Sequence, residues 1–213
     1  MRRERKIVDI SVSIGKQAVL YPSDPPFCKT LLASIENGKS CNLSKIEMSA
    51  HFGTHIDAPS HFEETGKELA AFDLSRFMIP ARVVEANGDC VILRDLETIH
   101  INPGDAILFK TRNSKNGWVA NGQYRSDYVY VTPEAARWCV DHTVGMVGID
   151  YITIDKSGDK SHEVHHILLG EDILILESIN LENVTCGMYQ LLCLPLNISG
   201  IEASPVRAVL MEK

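Results

Sequence analysis

The sequence predicts an α/β fold with at least part of its sheet parallel, and three observations carry that reading. An apolar run at residues 128–131 passes through a helix-start signal, Thr132 followed by Pro133, and a second apolar run follows at 144–149. That strand, helix, strand order is the pattern of a βαβ crossover. A second helix is predicted to begin at Ser161 and to lead into a buried strand at 173–176. The 213 residues are 45% hydrophobic, enough for one large core, and no repeat, low-complexity tract or linker divides them. One domain over residues 1–213 is therefore expected. Pattern alone leaves strand order open and does not separate α/β from α+β.

Taken in order, Val8, Ile10, Val12 and Ile14 alternate with Asp9, Ser11 and Ser13, the period of a half-buried strand ending at Gly15. A proline-rich loop follows at 21–26. Ile46, Met48 and Ala50 then alternate with Lys45, Glu47, Ser49 and His51. This predicts a strand whose polar face turns away from the core and leads into His51. Residues 82–85 and 106–109 read as short strands, and 74–77 is too short to assign. Residues 113–127 are polar and rich in Gly and Asn, with Trp118 as apolar anchor, which suggests a lid or an arm reaching a partner subunit. The helix opened by Pro133 extends to about Asp141.

Composition removes several classes of function. No window approaches the ~18 apolar residues of a membrane span, and the opening Met-Arg-Arg-Glu-Arg-Lys lacks the apolar core of a secretion signal. A cytoplasmic protein with no membrane partner is expected. The net charge is −7 and the only basic cluster is that short N-terminal run, so a nucleic-acid groove lacks its electrostatic footprint. A small-molecule substrate remains. The six cysteines form no C-x-x-C pair and are expected to be reduced and mostly buried.

Six of the eight histidines fall in two windows, 51–61 and 162–166. In the first, His51, His55, Asp57 and His61 are spaced at even offsets. A helix would scatter them, and Gly53, Thr54 and Pro59 are poor helix formers, whereas a strand puts even offsets on one face. Pro59 would end the ladder and let a turn swing His61 back over the same site, with Gly53 leaving space for an ion. Two imidazoles and a carboxylate suit a divalent cation such as Zn²⁺ or Mn²⁺. Phe52 stands where a metalloprotease H-E-x-x-H motif would need glutamate.

In the second window His165 is predicted to lie on a helix, with His162 and His166 exposed or outside the ligand set. Glu177 interrupts an isoleucine-lined strand face, and a buried carboxylate needs a partner there: Lys, Arg or a metal. Asp150 reads as a cap or an outer acceptor, and His100 and His142 as surface residues. Tyr21, Phe27, Phe62 and Trp118 are candidate pocket walls.

The run His51-Phe-Gly-Thr-His55-Ile-Asp57-Ala-Pro-Ser-His61-Phe62 resembles the H-x-G-T-H-x-D-x-P-x-H-F signature of the metal-dependent cyclase/hydrolase family that includes bacterial kynurenine formamidase and isatin hydrolase. The likeness extends through Asp73 to Val84, Val147 to Tyr151, His165 to Gly170, Ile173 to Glu177 and Leu194 to Arg207. It implies a swivelling β/β/α type fold, a mixed β-sheet core with flanking helices, assembled as a homodimer or homotetramer. It also implies one or two metal ions per subunit. By that resemblance His51, His55 and Asp57 would hold a first ion, Asp57 would bridge, and His165 with Glu177 would complete a second position. His61 would be the acid/base residue, with Tyr21 and Phe62 at the substrate. The chain departs from the family's kynurenine formamidases at Tyr21, where they carry tryptophan, and at Thr54, where they tend to carry alanine.

Three activities follow from these residues. The first is metal-dependent hydrolysis of a small-molecule amide, cyclic or N-aryl, by metal-activated water. The second is a cyclase or lyase reaction on a carbonyl substrate, and the third is metal binding without catalysis. The free position of His61 favours catalysis.

Overall fold

Apolar runs with no polar side build the centre of this fold, because strands covered on both faces have no solvent face to present. The computed structural model describes residues 6–212, so the charged N-terminal run lies, apart from Lys6, outside the described residues. The chain begins with β1 (Ile7–Asp9), β2 (Cys28–Ala33), β3 (Leu43–Glu47), β4 (His55–Asp57), β5 (Pro80–Glu85), β6 (Cys90–Val91) and β7 (Ala106–Lys110). It continues through α1 (Arg112–Lys115), β8 (Tyr130–Val131), α2 (Pro133–Asp141), β9 (Met146–Ile149), α3 (Glu163–Leu169) and β10 (Leu174–Glu177). It ends with β11 (Gly187–Leu192), β12 (Ala203–Pro205) and β13 (Val209–Glu212).

One mixed sheet orders its strands β1-β13-β11-β5-β7-β9-β10-β4-β12, with β5, β7, β9 and β10 mutually parallel and the flanks antiparallel. The pleat sorts its side chains: Ala106, Leu108, Leu174 and Leu176 enter one core cluster, while Ile107, Phe109, Val147, Ile149 and Ile175 enter the other. Helices α2 and α3 cover the second face through Ala135, Ala136, Val164, Leu168 and Leu169. Each Val, Leu, Ile and Phe side chain among these contributes roughly 1.5–3 kcal/mol by leaving water. The sheet curls so far that Ser11, just past edge strand β1, bridges to Ile179 beyond β10, and Asn180 N–H donates to Ile10 O at 2.7 Å.

The pleat also sets where the site lies. Ile56 belongs to the first cluster, so its neighbours His55 and Asp57 point to the helix-covered face, the face that Ile175 and then Glu177 occupy on β10.

Several expectations are corrected. The strand foreseen through Met48 to His51 ends at Glu47, and β3 pairs only with β2 in a separate ribbon whose Ile46 is 59% exposed. Its alternation therefore marks a projecting two-sided ribbon rather than a wall of the core. Residues 113–127, read as a lid or an arm, are anchored on their own chain near both ends, where Asn113 meets Val129 and the Arg125 N–H donates to the Tyr151 hydroxyl. Asn113 and Val129 exchange two hydrogen bonds at 2.9 Å, and the Trp118 ring lies 5.6 Å from the Arg112 guanidinium and 4.3 Å from that of Arg125. The unit of β8, α2 and β9 is not a crossover within one sheet, because β8 pairs with β6 instead. Of the cysteines only Cys139 and Cys193 are buried; Cys28, Cys41 and Cys186 are exposed, on the ribbon and on surface turns. All six are free thiols.

Candidate metal centre

His55 and Asp57 are placed by β4, and the turn before it by Gly53, whose φ of +78° belongs to the left-handed region open to glycine. A Cβ at Gly53 would meet Ile14 Cγ1 at 3.1 Å, so this glycine serves the turn and its close packing, not the room for an ion foreseen from sequence. The turn also takes His51 off the strand. It reaches the site from the loop rather than by the even spacing of one strand face, and its Nδ1 lies 2.9 Å from Asp57 Oδ1. Past β4, Pro59 opens a single 3-10 turn, Pro59–His61, which returns the His61 ring to 4.1 Å from the His51 ring. Phe62 packs its ring 4.7 Å from His165.

Glu177 ends β10 directly opposite His55 across the ladder. Its Oε2 is 3.5 Å from His55 Nε2 and its Oε1 is 3.4 Å from His165 Nε2. No Lys or Arg pairs with it among the described residues, and the Ile154 N–H donates to Oε1 at 2.7 Å. Asp57 faces three imidazoles: besides His51, His55 Nε2 lies 3.3 Å and His165 Nε2 3.7 Å from its oxygens. Asp57 Oδ1, Asp57 Oδ2 and His55 Nε2 are nonetheless buried without a hydrogen-bond partner.

Burial would raise the Asp57 carboxyl, but the imidazoles of His55 and His51 hold it well below the usual carboxylate range. Burial and the charge of Asp57 push Glu177 up. Burial would lower His51, yet Asp57 raises it to about 9. His61 has no carboxylate pressed against it, and burial takes it down to about 4, so its ring is neutral at pH 7.

These residues fit a divalent cation. A metal–ligand bond of ~2.1 Å gives tetrahedral ligand separations of about 3.4 Å, the spacing found between His55 Nε2, Asp57, Glu177 and His165 Nε2. Orphaned acceptors and a ring nitrogen converging in a buried site are what such an ion would satisfy. His51, Asp57 and His61 form one close set of donor atoms and His55, Asp57 and Glu177 another.

The site opens into a cavity of about 510 Å³ with His51, His61, His165 and Glu177 at one end and Tyr21 and Phe62 on its walls. Phe27 is stacked on Phe52 and Trp118 on arginine, so neither lines it. Sequence reading missed two polar neighbours, Asp155 and Glu202, and placed His162, which is partly exposed at the cavity wall, outside the ligand set. His162 lines the cavity from a left-handed φ of +48°, Glu202 lies 3.3 Å from His51 Nε2, and Asp155 meets His165 Nδ1. Both carboxylates sit in irregular segments with no periodic signal. Asp150 lies elsewhere, accepting from Thr111 and Ser114, while His100 and His142 are exposed and His166 meets Glu63.

Comparison with known proteins gives a consistent set of matches. The Cyclase family model matches residues 8–156. A kynurenine formamidase of Bacillus anthracis is 34% identical over 206 residues, covering 96% of this chain and 97% of that protein. The solved structure of a predicted metal-dependent hydrolase from Bacillus stearothermophilus superposes with a TM-score of 0.83 at 28% identity, covering 98% of this chain and 99% of that one. Isatin hydrolase A from Labrenzia aggregata shares the fold, with a TM-score of 0.83 at 21% identity over 97% of this chain and 93% of its own.

Proposed function

The chain belongs to the cyclase family, and from that premise we propose that it is a metal-dependent hydrolase of small-molecule amide bonds, acting on carbon–nitrogen bonds other than peptide bonds. The observation that carries the proposal is the convergence of His51, His55 and His165 on the buried carboxylates of Asp57 and Glu177. His51, His55 and Asp57 would hold one ion, and His165 and Glu177, with Asp57, would complete a second position. When bound, the divalent ion, Zn²⁺ or Mn²⁺ at one or two per subunit, polarises the amide carbonyl and makes water nucleophilic at neutral pH.

The chain's own residues do the rest. His61, neutral and beside the cluster, takes the proton from the attacking water and passes it to the leaving nitrogen. Phe62 and Tyr21 bound the cavity with rings that hold a planar aromatic group against the site. The kynurenine formamidase relatives support an N-formyl aryl amine as substrate. A homodimer or homotetramer is the proposed assembly. The ribbon of β2 and β3 supports it, since Leu31, Leu32, Leu43 and Ile46 are all more than half exposed there. Light scattering of the purified chain tests that assembly.

The test of the activity is a screen of N-formyl aromatic amines, isatin and simple lactams against metal-stripped protein with and without Mn²⁺ or Zn²⁺. Ion-dependent release of formate, or ring opening to the free acid, is expected. No turnover of any of these amides with either ion would overturn the proposal.

A further inference from the structure

Each of the three imidazoles that converge on Asp57 and Glu177 turns its other ring nitrogen to an acceptor. His55 Nδ1 lies 2.8 Å from Gly53 O, His51 Nε2 lies 3.3 Å from Glu202 Oε1, and His165 Nδ1 is bonded to Asp155 Oδ2. An acceptor on one nitrogen keeps the proton there and leaves the other nitrogen's lone pair facing inward. Of the three acceptors only Asp155 is both charged and buried, at 3% exposure.

Asp155 does more than meet a ring. Its Oδ1 accepts from the Val164 N–H at 2.9 Å, in the first turn of α3, the helix that carries His165. One carboxylate thus fixes both the start of that helix and the rotation of the ring one residue further on. The residue beside it, Ile154, donates its N–H to Glu177 Oε1 at 2.7 Å. Two consecutive residues therefore hold His165 and Glu177, which approach each other to 3.4 Å. His162 Nδ1 also lies 3.5 Å from Asp155 Oδ2, at the exposed side of the group.

We propose that Asp155 is a positioning residue for the metal centre: its carboxylate locks the His165 ring so that Nε2 faces the ion position shared with Glu177, while the adjoining Ile154 N–H sets the Glu177 carboxylate. This rests on the reading of the site as a metal centre. Asparagine cannot replace it, because Asp155 uses both oxygens as acceptors and an amide keeps only one.

The experiment measures Zn²⁺ affinity of the full chain by competition with a chromophoric chelator, for wild type, Asp155→Asn, His165→Ala and the double variant. Asp155→Asn is expected to weaken one ion about 10- to 100-fold, leave the other unchanged, and cost nothing further once His165 is gone. A loss of the same size in the His165→Ala background would make Asp155 a ligand or a general structural residue and overturn the proposal. Wild-type affinity in Asp155→Asn would overturn it equally. Asp155→Glu, which keeps the charge but displaces it, should lower the same single affinity and serves if the asparagine variant does not fold. Proton NMR of the metal-free chain supplies an independent readout, the His165 Nδ1–H resonance, which should be present in wild type and lost or shifted in Asp155→Asn. If wild type takes up no zinc, the metal-centre reading fails while the ring proton still decides whether Asp155 holds His165.

Discussion

His55 and Glu177 face each other across the β4–β10 ladder, directly opposed in register, with His55 Nε2 and Glu177 Oε2 3.5 Å apart. Antiparallel pairing at the far side of a parallel core thus brings the first histidine window against a strand contributed much later in the chain. The helix α3 then lays His165 over the same point, so the site is a product of topology and of the pleat together.

Stripping the ion should cost stability as well as activity, since Asp57 Oδ1 and Oδ2 are buried without hydrogen-bond donors. Saturation at about 100 times Kd stabilises a protein by ~2.7 kcal/mol, and at this size each kcal/mol moves Tm by ~2–4 °C. Scanning calorimetry should show Zn²⁺ or Mn²⁺ raising Tm by roughly 5–10 °C over the chelated protein. An unchanged Tm would argue against an ion at this cluster.

His61 lies against His51 but pairs with no carboxylate, which suits proton transfer better than ligation. His61→Ala should lower kcat by ~10²–10⁴-fold and leave the bound-ion count unchanged. Elemental analysis beside turnover checks this, and loss of an ion would make His61 a ligand.

Thiol reactivity should divide the cysteines. Burial pushes the thiols of Cys139 and Cys193 up to about 12, so both stay protonated and shielded at pH 8. Cys28 and Cys41 on the ribbon should react first in the free chain but be slowed wherever a second copy covers them, while partial burial and the nearby Glu85 push the Cys186 thiol up and should slow it despite its exposure. A coloured disulfide reagent, added before and after denaturation, counts each class.

Gly145 offers a control remote from the chemistry. A Cβ there would stand 2.3 Å from the Gly104 carbonyl oxygen, which only backbone movement can relieve. Gly145→Ala should lower stability by roughly 1–3 kcal/mol with KM unchanged, readable from urea denaturation and kinetics. Full stability would mean that the loop at 104 gives way freely.

The sequence announces strong patterns and conceals weak ones. Thr132 with Pro133 marks α2 at its true start, the apolar run at 144–149 contains β9, and the run at 173–176 covers β10 up to Glu177. The alternation at 45–51 misled because a projecting ribbon and a core wall share a period of two; only tertiary pairing separates them. His51 reached the site by a glycine turn where its spacing suggested a strand, so the residue set was legible while the geometry delivering it was not. Asp155 opens the polar stretch before His162 and reads as a solvated turn carboxylate, since nothing local shows the helix folding back over it.

The most direct test is anomalous diffraction at the zinc or manganese edge from crystals grown with that ion. The account predicts a peak bonded to His51, His55 and Asp57, with any second peak bonded to Asp57, His165 and Glu177. A peak held by other residues, or none within bonding reach of both Asp57 and the imidazoles around it, would contradict it.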